Sequence, residues 1–158
     1  MAQDDPVEIL CDLIQTAKDS EYGFRSSADV LRDSELRQVF LRCADEWQQS
    51  ASEVQALVRQ LGGASEKRGL AAWVVHPGWA AVKARQARSS DKTILEVTSF
   101  GEDTAAQIYS AALGRELPSM ARAVVKRQFE RVKRNCARVC ALRDQARAMA
   151  TWPRQAAA

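Results

Sequence analysis

Lys18-Asp19-Ser20-Glu21-Tyr22-Gly23-Phe24-Arg25 places a carboxylate where the surrounding pattern asks for an apolar side chain. Leu10, Ile14, Ala17, Glu21, Phe24, Ala28 and Leu31 recur at alternating steps of four and three residues. That spacing is the seam of a helix packed lengthwise against other helices. Every member but Glu21 is apolar. A charge in such a seam is costly unless it meets a partner, a proton or a metal. The rest of the chain is therefore read for what meets Glu21.

Asp5-Pro6-Val7-Glu8 opens the first helix, with Asp5 suited to the cap, Pro6 to the first turn and Glu8 to a capping box. This helix is expected to run to about Leu31. Asp33-Ser34 then caps a second helix, so the turn is short and the pair antiparallel. The second seam reads Leu36, Phe40, Cys43, Trp47, Ser50, Val54, Leu57 and Leu61, and Gly62-Gly63 ends it. Laying the second helix back on the first brings Glu46 and Trp47 level with Glu21. Residues 62–90 form a long connection in which Leu70, Trp73, Val74, Trp79 and Val82 suit a short helix laid across the bundle. A connection of that length makes the second and third helices parallel.

The third helix is expected after an Asp91 cap, with the seam Leu95, Thr98, Glu102, Ala105, Tyr109 and Ala112. Its steps match those of the first helix from Ile14, and a Glu falls at the same place. The fourth helix starts near Pro118 and runs to about Met149, with the inner line Ala121, Val125, Gln128, Val132, Asn135, Val139, Leu142 and Ala146. Folding it back through residues 114–118 sets Gln128 and Glu130 near the level of Glu102. The whole reads as one domain over residues 1–150, followed by a patternless, frayed tail at 151–158.

Composition agrees with this class. The 158 residues suffice for one substantial core, and 46% hydrophobic with 27% charged residues is ordinary for a folded soluble protein. Residues 1–8 are acidic with no apolar core behind them, and no run approaches the ~18 apolar residues of a membrane span. The expected location is the cytoplasm. Cys11, Cys43, Cys136 and Cys140 form no Cys-x-x-Cys pair and are expected as reduced, apolar fillers. Cys136 and Cys140 lie one turn apart and, with Cys43, form a weaker candidate thiol site.

Inward carboxylates from several helices of a four-helix bundle can hold two metal ions. The full pattern takes one Glu from each of two helices and Glu-x-x-His from each of the others. Glu21 and Glu102 supply the lone carboxylates. Glu46-Trp47-Gln48-Gln49 and Glu130-Arg131-Val132-Lys133 lack the histidines, and His76 lies alone in the connection. The preferred reading is a buried polar layer of Glu21, Ser50, Glu102, Tyr109, Gln128 and Asn135 that fixes helix register. The alternative is a metal-binding or redox centre on Glu21, Glu46 and Glu102, supported by Gln128 and holding iron or manganese.

The strings Lys18–Arg25, Leu57-Val58-Arg59-Gln60-Leu61-Gly62-Gly63, Gly101-Glu102-Asp103 and Arg127-Gln128 resemble an uncharacterised bacterial family of four-helix bundles, a domain of unknown function in the ferritin-like superfamily. The resemblance covers about residues 7–147. It implies an all-α, ferritin-like, antiparallel four-helix bundle with a crossover containing a short helix between helices 2 and 3, and no established activity. It also implies a histidine at the place of Asn135, and the crossover here reads His76-Pro77-Gly78-Trp79. The first difference removes the best ligand of the fourth helix.

The fourth helix carries Arg122, Lys126, Arg127, Arg131, Lys133, Arg134, Arg138, Arg143 and Arg147 against Glu130 and Asp144 alone. A basic helix can meet phosphate backbones. Without interleaved aromatics, and with acidic first and second helices, a solvated face paired to its neighbours is the expected role, and nucleic acid is not an expected partner. The function expected is that of a non-catalytic bundle protein acting by self-association, as a dimer, or by partner binding, with a degenerate metal site, no cofactor and no membrane contact.

Overall fold

The computed structural model describes residues 4–64 and 89–156, and side chains as far as residue 150. The expected crossover helix and His76 lie outside the described residues. Among those described there are four helices and no strand. Helix α1 spans Pro6–Val30, α2 Ser34–Gln60, α3 Asp91–Leu113 and α4 Ser119–Ala156.

The helix ends follow local chemistry. Asp5 accepts from the Val7 N–H at 2.9 Å and opens α1. Asp33 accepts from the N–H groups of Glu35 and Leu36 and opens α2 three residues after α1 ends. Gly62, at φ 76°, closes α2. Its N–H meets the Arg59 carbonyl and the Gly63 N–H meets that of Val58, the paired bonds of a Schellman motif. The cap of α3 is Ser90, whose Oγ accepts from Thr93, and not Asp91 as expected. Asp91 instead accepts from the N–H groups of Arg32 and Asp33 at 3.0 and 2.9 Å, tying the start of α3 to the α1–α2 turn. A carboxylate one residue past the cap is free to satisfy donors of a neighbouring turn.

These ties set the topology. Gly63 sits against Val7 at the start of α1, whereas α3 begins at the end of α1. Helices α2 and α3 therefore start at the same end of the bundle and run parallel. At the end of α3, Arg122 donates to the Leu113 and Arg115 carbonyls. Helix α4 then returns antiparallel to α3. Around the bundle α1 lies between α2 and α3, and α4 closes the square between the same two. Helices α2 and α3 thus face one another across a diagonal. At its far end α4 is helical to Ala156, where a frayed tail from Thr151 was expected.

The seams bury as their spacing demands. Leu10, Ala17, Phe24, Phe40, Trp47, Val54, Leu95, Tyr109, Val125 and Val139 are all buried. Phe24 meets Phe40 edge to face at 5.1 Å. Each large apolar side chain so buried contributes about 1.5–3 kcal/mol. Glu102 is the one charged residue type in this core among the described residues.

Candidate functional site: a buried polar layer in two tiers

Helices α2 and α4 face each other in an antiparallel register that places polar side chains opposite one another. Gln128 Nε2 donates to Glu53 Oε2 at 3.0 Å and to the Ser50 carbonyl at 3.2 Å. Arg131 donates to Ser50 Oγ at 2.7 Å. Asn135 Nδ2 donates to Glu46 Oε2 at 2.6 Å. Arg138 comes next, close enough for its charge to act on Cys43. Each advance along α4 is thus matched by an equal step back along α2.

Helix α3 joins this ladder at two levels. In the lower tier, Tyr109 donates its hydroxyl to Gln128 Oε1 at 2.9 Å. Gln128, fully enclosed, therefore uses its carbonyl and both amide hydrogens. Arg127 pairs with Glu53 at 2.8 Å. Burial pushes the Glu53 carboxyl up, but the hydrogen bonds from Gln128 and Arg127 outweigh it and hold the group below the usual range. Burial pushes the Tyr109 phenol up.

In the upper tier, Trp47 reaches across the diagonal and donates its indole N–H to Glu102 Oε1 at 3.2 Å. Its ring also rests against Tyr109, with centroids 6.0 Å apart. The second oxygen, Glu102 Oε2, is buried without a hydrogen-bond partner. Burial first, and the charge of Glu46 after it, raise the Glu102 carboxyl to about 8 against the lowering effect of Trp47. At neutral pH Glu102 is mostly a neutral acid.

The sequence-derived constellation is placed as follows. Ser50, Glu102, Tyr109, Gln128 and Asn135 are buried. Glu21 stands apart: its side chain is 20% exposed and accepts from Arg25 Nε at 3.0 Å on its own helix. Arg25 Nη2 then reaches Asp45 and Gln48 on α2. The expected pairing of Glu21 with Tyr109, Gln128, Ser50 or Asn135 gives way to this surface ion-pair cluster. A residue at a seam position can turn its carboxylate outward when a cation waits four residues on. The level of Gln128 also differs from expectation. Gln128 meets Tyr109, whereas the charge of Glu102 reaches Cys136, about two turns further along α4. Glu130 is exposed and pairs with Lys133.

Sequence reasoning missed Glu53, Arg131 and Arg25, and it did not find Trp47 as the donor to Glu102. The signal for Glu53 was present. Glu46, Ser50 and Glu53 follow the helical spacing on α2, and Gln128, Arg131 and Asn135 repeat it in reverse on α4. The cations of α4 are drawn into the same network. Arg127, Lys133, Arg143 and Arg147 pair with Glu53, Glu130, Asp144 and Glu96, and Arg143 also donates to Ser99. Solvent screens such exposed pairs, so they add little to stability.

The thiols are all free. Burial, then the charges of Glu102 and Glu46, push Cys43 up to about 12. Burial, then Cys140, push Cys136 up to about 11. No helix among the described residues is long and apolar enough to cross a membrane.

Four helices in this order among the described residues, with α2 parallel to α3 and Glu102 buried between them, define a ferritin-like bundle. The chain belongs to the family described as Domain of unknown function (DUF2383), whose model matches residues 5–115. It is similar in fold to a Thermotoga maritima protein whose crystal structure was described as that of a "putative ferritin-like diiron-carboxylate protein". That likeness covers 92% of this chain and 99% of that one, with a TM-score of 0.71 and 16% identity. No curated protein matches the chain.

The donor set does not fit a two-metal centre. Glu21 is held by Arg25, Glu53 by Arg127 and Gln128, and Glu46 by Asn135. Among the described residues no three His, Cys, Asp or Glu side chains converge. Among the described residues, Glu102 Oε2 is the one buried side-chain oxygen or nitrogen without a hydrogen-bond partner.

Proposed function

We propose that this protein is a non-catalytic ferritin-like scaffold. Its inner layer is held by guanidinium, carboxamide and indole groups instead of metal ions, and it acts in the bacterial cytoplasm through contacts with other protein chains. The observation that carries the reading is the engagement of the carboxylates: Arg25 on Glu21, Asn135 on Glu46, Gln128 and Arg127 on Glu53, Trp47 on Glu102. A cation entering the layer would have to displace these bonds. Self-association as a dimer is the favoured contact. Val97, Phe100 and Ile108 form an outward apolar stripe on α3, with Phe100 77% exposed.

Metal analysis of protein purified without chelator, run alongside sedimentation, tests the proposal. A metal-free dimer is the expected result. A stoichiometric metal content contradicts the metal-free centre, and a monomer at all concentrations contradicts the dimer.

One observation favours a second reading, in which Glu102, Glu46 and Glu21, with Gln128 in support, hold a divalent ion such as iron or manganese. That observation is the buried, unpartnered Oε2 of Glu102. In this reading the carboxylates are ligands and not general acids, and Glu21 must leave Arg25 to take part.

A further inference from the structure

Cys136 and Cys140 stand one helical turn apart on the strip of α4 that faces α3, both partly exposed and both free. Each thiol lies within electrostatic reach of the other. The helix therefore holds the two side chains on one face, with Cβ atoms about 5–6 Å apart, so an acceptor that bridges them needs little ordering of the chain on binding. Around them lie the carboxylates of Glu102 and Asp103 near Cys136, and Arg143 near Cys140. Asp103 is exposed, and Arg143 is turned to Asp144 and Ser99. Among the described residues, neither these carboxylates nor any His or third Cys completes a group of three that could hold a metal ion with the pair. That absence disfavours zinc, which takes four ligands, and selects soft acceptors content with two thiolates.

We propose that Cys136 and Cys140 form a two-thiol chelate for a soft thiophilic acceptor, of which a trivalent arsenical and a monovalent copper ion are the two sources. With phenylarsine oxide, two S–H groups and the As=O group become two As–S bonds and one water, and arsenic stays trivalent. With copper, the two thiol protons pass to solvent and the ion stays monovalent. Cys43 is buried, and Cys11 sits near the start of α1, so neither joins the chelate.

The test is titration of the reduced full chain with phenylarsine oxide, and separately with monovalent copper held by a weak competing ligand. Free thiols are then counted, and the protected cysteines are located by peptide mapping. The expected result is one acceptor per chain, with Cys136 and Cys140 both protected and Cys11 and Cys43 still reactive after unfolding. Protection by both probes supports a site open to either source, and protection by one alone assigns that source. Cys136→Ser and Cys140→Ser should each abolish the stoichiometric binding while helicity is unchanged. Mapping of the unsubstituted chain decides the matter if a variant fails to fold. Protection of neither thiol, or binding that survives in both variants, overturns the chelate.

Discussion

Glu102 shows at residue scale what the layer costs. It is enclosed, holds one hydrogen bond from Trp47, and keeps its proton to about 8. An unfolded chain releases that proton near the ordinary value of 4.5. Between these two values the native state binds more protons, so stability falls as pH rises through the window, and the full penalty stands above it. Glu102→Gln removes the titration while keeping an oxygen for the indole. Its melting temperature should come closest to the parent's near about pH 4, and exceed it increasingly through the window to about pH 9. A large loss at both values counts against the neutral-acid reading. The seam pattern predicts both Glu102 and Glu21 inward; Glu102 is buried, whereas Glu21 ends partly exposed against Arg25, for a physical reason. Periodicity fixes the face on which a Cα lies, not where a long side chain ends. Arg25, one turn on, draws the Glu21 carboxylate back toward the surface.

The ladder between α2 and α4, joined by Tyr109 of α3, sets register at the scale of elements. Tyr109→Phe leaves Gln128 Oε1 buried and unpaired, and should cost about 1–3 kcal/mol in urea unfolding. In a Gln128→Leu background the same change should cost markedly less, because the acceptor is gone. Equal costs in both backgrounds deny the coupling. Most of the helix framework was legible in the sequence, because seams, Asp5, Asp33 and Gly62-Gly63 are local signals. The depth of each polar residue was less legible. The offset of α4 along α3 depends on how two hairpins pack, and no local spacing records it. The diagonal reach of Trp47 to Glu102 has the same origin.

Considered as a whole molecule, the bundle presents the apolar stripe of α3 outward and closes Glu102 inward. Phe100 is so exposed that Phe100→Glu should leave the fold intact. If the stripe joins two copies, that change shifts the sedimenting species from dimer to monomer; an unchanged distribution places the contact elsewhere. The claim on which the reading most depends is that the inner carboxylates hold no metal ion. The direct measurement is a thermal melt of chelator-free protein with and without ferrous ion, under reducing anaerobic conditions. The expected result is an unchanged transition. Stabilisation that grows with ferrous ion, reaching about 2.7 kcal/mol at 100 times a dissociation constant, would contradict it.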